Sequence, residues 1–322
     1  MLEKICMPIK EELKQLEDKF KSVIETDIKL IKDVFTYIVA GKGKRLRPIM
    51  LLLCSGLNGR PTKKSIDAAI IIELLHTATL IHDDVVDNSN LRRGNPSVNS
   101  IWENKISVLI GDYLFAHIFD TLVDFKDTNL IKIISNVSTQ MSKGELLQME
   151  RAQNFQMNEQ TYMRLISFKT ASLLSATCQI GALTSEPSDG SHEENLKTFG
   201  NSLGIAFQIK DDLLDYSGNE DNLGKPIGKD LLENIITLPV LYSLNQTSED
   251  KRKEMLAILE NGYNDQFDKI IHFVKETGGI KYAEEKADFY IQKALHCLES
   301  YPDSPYKQSL LLISDYITSR DK

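Results

Sequence analysis

Apolar residues recur at helical spacing along almost the whole chain, and stretches that alternate like β-strands are few. Clusters of Gly, Pro, Ser and Asn separate the apolar segments, but none is long enough or simple enough to suggest a linker between domains. The pattern therefore predicts an all-α fold in a single domain over residues 1–322. The longest predicted helices cover residues 65–87, 106–125, 129–154, 159–183 and 193–216, followed by 235–245 and the C-terminal segments.

Composition and charge narrow the class of protein. Acidic residues outnumber basic ones by 46 to 38, for a formal net charge of −8, which argues against general binding of nucleic acid. Four widely scattered cysteines lack the close spacing of zinc or redox motifs, which suits reduced thiols. The charged N-terminus lacks the apolar core of a secretory signal, and the longest apolar run, residues 49–54, is too short to span a bilayer. We therefore expect a cytoplasmic protein whose contact with a membrane is at most peripheral.

Two short segments carry the same arrangement of aspartates. The sequences IHDDVVDNS and IKDDLLDYS each place aspartates at i, i+1 and i+4 at the end of an apolar helix. Positions i and i+4 share a helix face, so Asp83 lies beside Asp87, and Asp211 beside Asp215. Neighbouring carboxylates repel, and negative charge is disfavoured at a helix C-terminus. A divalent cation would turn this repulsion into attraction, since magnesium prefers carboxylate, water and phosphate oxygens.

A polar loop with cations follows each aspartate group, with Arg92 and Arg93 after the first and Lys225 and Lys229 after the second. A single group of this kind could be a solvated helix end, where aspartate is common. Two copies, each followed by cations, favour a substrate more anionic than the carboxylates and bridged to them by metal. A diphosphate fits that description.

Other polar residues lie where they could contact an anionic substrate. Lys169 and Thr170 interrupt an otherwise apolar helix, and a lysine is costly to bury unless it is paired or faces a polar cavity. Taken alone, the basic segment 41–48 could be a flexible loop, and His76 could be a hydrogen-bonded histidine of the core. The additional candidates are Lys44, Arg47, His76, Lys169, Thr170 and Gln208.

Taken together, these motifs resemble the trans-isoprenyl diphosphate synthases, the polyprenyl synthetase family. The resemblance runs along almost the whole chain and rests on several motifs of high specificity. They are the basic GKRLRP element (43–48), the first aspartate motif with its arginine pair (83–93), GDYLF (111–115), the Lys-Thr pair (169–170), QIKDDLLD (208–215) and GKPIGKD (224–230).

The resemblance implies an isoprenoid-synthase-type helical bundle around a deep central cavity, usually in a homodimer. It also implies a magnesium-dependent prenyltransferase that condenses isopentenyl diphosphate with an allylic diphosphate, head to tail and with trans geometry. A cluster of three magnesium ions with the bound diphosphate would stabilise ionisation of the allylic C–O bond. The double bond of isopentenyl diphosphate would then attack the carbocation, and a proton would leave to the released diphosphate.

Individual roles also follow from the resemblance. The metal ligands would be Asp83, Asp87, Asp211 and Asp215, and the residues acting directly in ionisation would be Lys169, Arg92, Asp83, Asp87 and Asp211. The allylic diphosphate would contact Arg92, Lys169, Thr170, Gln208 and Lys225. Isopentenyl diphosphate would contact Lys44, Arg47, His76 and Arg93.

Product length depends, in this family, on side chains one turn before the first aspartate motif. Here they are Ala78 and Thr79, both small, which predicts a medium- or long-chain polyprenyl diphosphate. Alternatively, small residues only let two helices pack closely, and Phe115 or Phe119 sets the cavity floor. A short-chain synthase that makes farnesyl or geranylgeranyl diphosphate then remains open.

Three further alternatives concern the class of protein. A terpene cyclase shares the helical fold, but the second Asp-Asp-x-x-Asp group and the basic GKRLRP element argue against it. The chain could also be the large subunit of a heteromeric prenyl synthase that needs a partner, because intact motifs do not exclude that requirement. A helical scaffold with acidic turns would not explain why cations accompany both aspartate groups. One departure from the family pattern is Ile235, where many members carry a lysine shortly before the Thr-Leu-Pro sequence.

Overall fold

The computed structural model of the protein describes residues 1–41, 43–57, 59–154, 157–186, 192–217, 235–260 and 266–318. Within those ranges the chain is almost entirely helical, with one pair of two-residue strands, which confirms the predicted all-α fold. The helices are α1 (Leu2–Cys6), α2 (Lys10–Ser22), α3 (Lys29–Ala40), α4 (Leu46–Leu57), α5 (Lys63–Val86), α6 (Val98–Asp124), α7 (Thr128–Asn154), α8 (Glu159–Ile166), α9 (Ser172–Leu183), α10 (Glu193–Ser217), α11 (Leu238–Asn245), α12 (Glu249–Glu260), α13 (Phe267–Glu276), α14 (Gly279–Leu298) and α15 (Pro305–Thr318). The strands are β1 (Leu91–Arg92) and β2 (Asn95–Pro96), a short 3₁₀ turn covers Met7–Ile9, and a π-helical turn covers Ser167–Ala171.

The chain forms two compact units. Unit 1 comprises Met1–Ser138, Ala176–Lys197 and Tyr301–Leu310, and unit 2 comprises Thr139–Ser175, Thr198–Ser300 and Leu311–Lys322. The first aspartate motif therefore belongs to unit 1 and the second to unit 2. A single domain over the whole chain stays a prediction.

Helix α5 is the central helix of unit 1. The side chain of its N-cap Thr62 accepts a hydrogen bond from the Ser65 N–H (3.2 Å), and the Ser65 hydroxyl accepts one from the Thr62 N–H (3.0 Å). This reciprocal capping box fixes where the helix begins. Beyond it, most apolar side chains of α5 are buried, as expected of a helix that is apolar on every side. Glu73 and His76 interrupt that apolar surface and therefore need polar surroundings.

Helix α6 packs along α5 at a position that requires glycine. A Cβ atom at Gly111 would overlap the imidazole of His82 on α5. That imidazole stacks on the Phe115 ring with 5.9 Å between centroids, and its Nε2 lies 3.2 Å from the Val108 carbonyl oxygen. The two helices are therefore brought together around His82, the residue immediately before the first aspartate motif.

The structure corrects two predicted helix boundaries. Helix α6 begins at Val98 instead of 106, but Glu103 inside it has non-helical dihedrals (φ 68°, ψ 161°), so the predicted start follows a real break. The helix predicted over 159–183 is interrupted by the π-helical turn at Ser167–Ala171. The turn holds both Lys169 and Thr170, and π-turns of this kind often lie at functional sites.

The core of unit 2 packs against the helix that carries the second aspartate motif. Tyr162 and Ile166 of α8 pack with Ile209 and Leu213 of α10, together with buried residues of α11, α13 and α14. Gly204 permits a close approach of α10 to the π-turn, because a Cβ atom there would lie 2.6 Å from Cα of Ala171. The π-turn that holds Lys169 and Thr170 therefore packs against α10 at Gly204.

By length and hydropathy alone, two of the described helices could cross a membrane, α5 and α6. More than half of the apolar segment of α5 is buried inside the protein, and the core helix of a soluble protein can be equally long and apolar. The result gives weak support for a membrane span, and the location of the protein stays a prediction.

Candidate active site

The first aspartate motif lies at the C-terminal end of α5. Asp87 caps the helix, and its N–H donates to the Asp83 carbonyl (2.8 Å). Asp83 is partly exposed and Asp87 is exposed, whereas Asp84 is buried at 5% exposure. Asp84 Oδ1 lies 3.2 Å from Nε of Arg92, in an ion pair. The motif therefore separates into two accessible carboxylates, one turn apart, and one inward carboxylate that holds an arginine.

The arginine pair lies in a short β-hairpin with a two-residue loop. Strands β1 and β2 pair antiparallel, with Arg92 opposite Asn95, and the loop residues Arg93 (φ 53°) and Gly94 (φ 77°) both have positive φ. Two such residues are the signature of the tight turn preferred in hairpins. The Tyr37 hydroxyl of α3 donates to the Pro96 carbonyl (2.6 Å), which anchors strand β2 of the hairpin to α3. Arg92 and Arg93 thus follow the aspartates on a closed, anchored loop.

A cavity of about 360 Å³ opens beside this hairpin, entirely within unit 1. Its charged lining consists of Arg45, Arg92 and Arg93 against Glu73 and Asp84. The remaining lining includes His76, Tyr37, Phe20 and the backbone around Gly43. The pocket is positively charged, and it is large enough for a small anionic ligand.

Burial and neighbouring charges shift the pKa values of three residues in or beside this cavity. Burial lowers the pKa of Arg47 to about 10, an effect that Glu73 opposes and Arg93 strengthens. Burial, together with Arg47, Arg93 and Arg92, lowers the pKa of His76 well below its usual value of 6.5, so its imidazole is neutral at pH 7. Burial raises the pKa of Glu73, although Arg47, Arg45 and Arg93 act in the opposite direction. A bound anion would relieve the repulsion between the arginines.

The structure brings together only some of the residues predicted for isopentenyl diphosphate. His76 and Arg93 line the cavity, and Arg47 is close enough to influence both electrostatically. Nε of Arg47 is buried and, among the described residues, has no hydrogen-bond partner. Lys44 is not among the lining residues, whereas its neighbour Arg45 is.

The predicted chain-length residues lie on α5 between His76 and the first aspartate motif. Ala78 is fully buried, and the Thr79 hydroxyl donates to the His76 carbonyl (2.8 Å). Of the alternative floor residues, Phe115 stacks on His82, and Phe119 is 45% exposed.

In unit 2, the Lys-Thr pair is already engaged in polar contacts. Nζ of Lys169 lies 2.8 Å from Oε1 of Glu145 and donates to Oε1 of Gln148, also at 2.8 Å. The Thr170 hydroxyl donates to Oε1 of Gln208 (2.7 Å). The predicted need of Lys169 for a partner is thus met by a carboxylate on α7.

The second aspartate motif lies near the end of α10 and again separates into accessible and inward carboxylates. Asp211 is exposed and Asp215 is partly exposed, whereas Asp212 is buried at 5% exposure. Asp212 accepts hydrogen bonds from Gln208 Nε2 (2.8 Å) and from the Tyr162 hydroxyl (2.6 Å). Neither Tyr162 nor Glu73 was predicted from the sequence as part of a site. Lys225, Lys229 and the GKPIGKD segment lie outside the described residues.

The donor set suits magnesium that is shared with a phosphate group. Within the described ranges, no three His, Cys, Asp or Glu side chains converge to hold a metal ion by themselves. Magnesium is commonly held by one or two carboxylates, with water and substrate phosphate oxygens completing its shell. Asp83 with Asp87, and Asp211 with Asp215, offer such pairs of hard oxygen ligands.

Comparison with known proteins identifies the class. The family model described as Polyprenyl synthetase matches residues 28–275, so the chain belongs to this family. It is a trans-prenyltransferase, which confirms the predicted family, enzyme class and fold.

Particular relatives cover nearly the whole chain. An all-trans-nonaprenyl-diphosphate synthase (geranyl-diphosphate specific) from Rhodobacter capsulatus is 36% identical over 95% of this chain and 94% of its own length. Heptaprenyl diphosphate synthase component 2 from Bacillus subtilis is 32% identical over 97% of this chain and 89% of its own length. Among solved structures, a decaprenyl diphosphate synthase from R. capsulatus has a TM-score of 0.93 and 33% identity, with 100% of both chains covered. A Caulobacter crescentus polyprenyl synthase complexed with calcium and isoprenyl diphosphate has a TM-score of 0.90 and 29% identity, over 100% of this chain and 98% of that one.

Proposed function

We propose that this protein is a magnesium-dependent synthase that condenses isopentenyl diphosphate with an allylic diphosphate and makes a medium- or long-chain polyprenyl diphosphate. The observation that carries the proposal is the arginine-lined cavity of unit 1 beside the first aspartate motif. Its three arginines and neutral histidine suit a diphosphate that is bound directly and stays attached to its carbon chain. The nearby carboxylates suit a second diphosphate held through metal.

In the proposed site for isopentenyl diphosphate, Arg93 and Arg47 supply charge, and His76 supplies a neutral hydrogen-bonding group. Arg45 joins this set because it lines the cavity, with its guanidinium over the Phe20 ring at 5.0 Å from the centroid. Lys44, next to Arg45 in the chain, completes the proposed set. Arg45, Arg47 and His76 are partly buried, which strengthens their attraction for an anion.

The allylic diphosphate would be held by the carboxylates Asp83, Asp87, Asp211 and Asp215 through magnesium, and by Arg92, Lys169, Thr170, Gln208 and Lys225. Magnesium, when bound, would supply the positive charge that stabilises the departing diphosphate. The calcium in the C. crescentus complex supports a divalent metal in a relative with this fold. Lys169 would exchange its contacts with Glu145 and Gln148 for the diphosphate, since all three groups compete for one ammonium.

The chemistry then needs no protein nucleophile. The allylic C–O bond breaks and its electron pair leaves with the diphosphate. The π electrons of isopentenyl diphosphate form the new C–C bond, and loss of one proton to the released diphosphate restores a double bond. The protein contributes cations for the leaving group and apolar walls that exclude water from the carbocation.

Several observations support the chain length and assembly that we propose. Ala78 and Thr79 leave the α5 wall without a bulky side chain, and the relatives described above are named for heptaprenyl, nonaprenyl and decaprenyl products. Apolar side chains remain exposed along α6, as expected of a surface that pairs with another copy. They are Ile101, Val108, Leu109, Phe119 and Val123. We therefore propose a cytoplasmic homodimer, while the name "component 2" of the B. subtilis relative makes a heteromeric enzyme the specific alternative.

Calorimetric binding of isopentenyl diphosphate, without an allylic substrate, tests the assignment of the cavity. We expect Arg93→Gln to raise the dissociation constant at least about tenfold, which corresponds to about 1.4 kcal/mol. The matched control is Arg60→Gln, an exposed arginine of unit 1 that pairs with Glu186 instead of lining the cavity. Equal affinities for wild type and Arg93→Gln would contradict the assignment.

A further inference from the structure

Four polar side chains of unit 2 form a continuous chain of hydrogen bonds. The Thr170 hydroxyl donates to Oε1 of Gln208 (2.7 Å), and Nε2 of Gln208 donates to Oδ1 of Asp212 (2.8 Å). The Tyr162 hydroxyl donates to Oδ2 of the same aspartate (2.6 Å). The direction is set by chemistry, because an ionised carboxylate only accepts. Gln208 therefore has a defined amide orientation, with its nitrogen towards Asp212.

The chain of hydrogen bonds is anchored in the core at its tyrosine end. Tyr162 is 2% exposed, and its ring packs among Ile166, Ile209 and Leu213. A buried carboxylate is costly unless its oxygens are hydrogen-bonded, and both oxygens of Asp212 accept a bond here. Hydrogen bonds to charged groups are also the stronger ones. The Tyr162 contact therefore fixes Asp212 to α8, a helix that carries no aspartate of the motif.

Fixing Asp212 has a geometric consequence for its neighbours. Residues of one helix rotate by about 100° per position, so the direction of Asp212 determines the directions of Asp211 and Asp215. Asp212 points inward, and Asp211 and Asp215 retain exposed surface. Gln208 lies one turn earlier on α10 and is hydrogen-bonded to both Asp212 and Thr170. It therefore fixes the position of Thr170 in the π-turn relative to Asp212.

We propose that Tyr162 is a positioning residue for the second aspartate motif. Its hydroxyl acts through Asp212 to orient Asp211 and Asp215 as magnesium ligands, and through Gln208 to hold Thr170. This inference rests on the proposed function, because it assumes that these aspartates bind metal with a diphosphate. Groups that orient metal ligands commonly contribute about 10- to 100-fold to metal affinity.

The variant Tyr162→Phe removes the hydroxyl and retains the buried ring. A matched control is Tyr216→Phe, on α10 itself, because the Tyr216 hydroxyl is also buried and makes a 2.6 Å hydrogen bond, but to Thr237. Both variants remove one buried tyrosine hydroxyl from unit 2. The described hydrogen bond that the first variant removes is to an aspartate of the motif, whereas the one that the second removes is to Thr237.

The first readout does not need activity. The melting temperature of each protein is followed during a titration with Mg²⁺ at a fixed concentration of inorganic diphosphate, and the half-saturating Mg²⁺ concentration is compared. We expect about a tenfold higher value for Tyr162→Phe and a change below about twofold for Tyr216→Phe. Equal shifts in both variants, or no shift in Tyr162→Phe, would overturn the proposal.

Kinetics supply the second readout. The Mg²⁺ concentration for half-maximal rate should rise by the same factor in Tyr162→Phe, with the KM for isopentenyl diphosphate within about twofold of wild type, since that ligand is assigned to unit 1. An equal rise in both constants would mean a general loss of structure and would overturn the positioning role. If wild type binds Mg²⁺ with diphosphate but transfers no prenyl group, the proposed function fails while the positioning role stands on the first readout.

Should Tyr162→Phe not fold, Asp212→Asn tests the same contact from its other end. It keeps the size of the side chain and removes the charged acceptor, so the half-saturating Mg²⁺ concentration should again rise about tenfold. An unchanged value in a folded Asp212→Asn protein would contradict the proposal.

Discussion

Burial opposes the charged form of three residues in or beside the cavity of unit 1. Arg47 has a lowered pKa, His76 is held neutral, and Glu73 has a raised pKa, each with burial as the largest cause. The resemblance to the family predicted roles for His76, Arg47 and Arg93, of which Arg47 and Arg93 lie in its motifs. Glu73 could not be predicted in this way, since it lies in an apolar helix without a motif that distinguishes it from a solvated residue.

The protonation of His76 predicts a pH dependence of stability. Its pKa is lowered in the folded protein, so below the usual value of 6.5 the unfolded chain binds a proton that the folded chain does not. Stability is therefore fully present above pH 6.5 and is lost as the pH falls towards the folded pKa, by up to about 1.4 kcal/mol per pH unit.

Thermal unfolding of wild type and His76→Gln between about pH 7.5 and 5.5 checks this expectation. Wild type should lose more stability than the variant as the pH falls, because glutamine does not titrate. Parallel curves for the two proteins would show that His76 is not held neutral in the fold.

Product length is also decided at single residues, in our proposal by Ala78. The variant Ala78→Phe should shift the products towards shorter chains, since the ring would occupy the path along α5. Ala78 is fully buried, so overpacking should also cost about 1–3 kcal/mol of stability.

A control separates these two effects. Ala287 in unit 2 is also fully buried, and Ala287→Phe should destabilise the protein without changing product length. If folded Ala78→Phe makes products of unchanged length, the floor lies elsewhere, and Phe115 becomes the next residue to truncate.

At the scale of elements, helical periodicity predicted where α5, α7 and α10 lie to within a few residues. It did not reveal the π-turn at 167–171, because such a turn is a single irregular turn inside a longer helix. It also missed the hairpin, whose two positive φ values fall on Arg93 and Gly94, since arginine rarely adopts that conformation. Tyr162 was missed for a related reason, because a tyrosine at an apolar position of a helix is indistinguishable from an ordinary core residue.

The α5–α6 contact can be tested by whether Gly111→Ala raises or lowers the free energy of unfolding. In a helix free of contacts, Gly→Ala stabilises by about 0.8–1 kcal/mol. At Gly111 the added methyl group would overlap the His82 imidazole, so we expect Gly111→Ala to destabilise the protein by about 1–3 kcal/mol.

Denaturant unfolding of Gly111→Ala, His82→Ala and the double variant measures this coupling. The double variant should be less destabilised than the sum of the two single variants, because removing the imidazole makes room for the methyl group. Strict additivity, or a stabilised Gly111→Ala protein, would contradict the packing described for α6.

At the scale of the whole molecule, the exposed apolar residues of α6 predict self-association. Light scattering after size exclusion should give twice the chain mass of 36.5 kDa. Replacing Leu109 and Val123 by Glu should reduce the mass to that of one chain, whereas Phe289→Glu, at an exposed position of unit 2, should not. A monomeric wild type would favour the alternative in which a different subunit covers α6.

The products of the purified chain test the proposed activity most directly. The chain is incubated with Mg²⁺, labelled isopentenyl diphosphate and farnesyl diphosphate, and the products are sized after removal of phosphate. We predict a ladder that ends beyond geranylgeranyl length and disappears when Mg²⁺ is chelated. No incorporation with any allylic primer would contradict an autonomous synthase, and a single short product would contradict the proposed chain length while leaving the enzyme class in place.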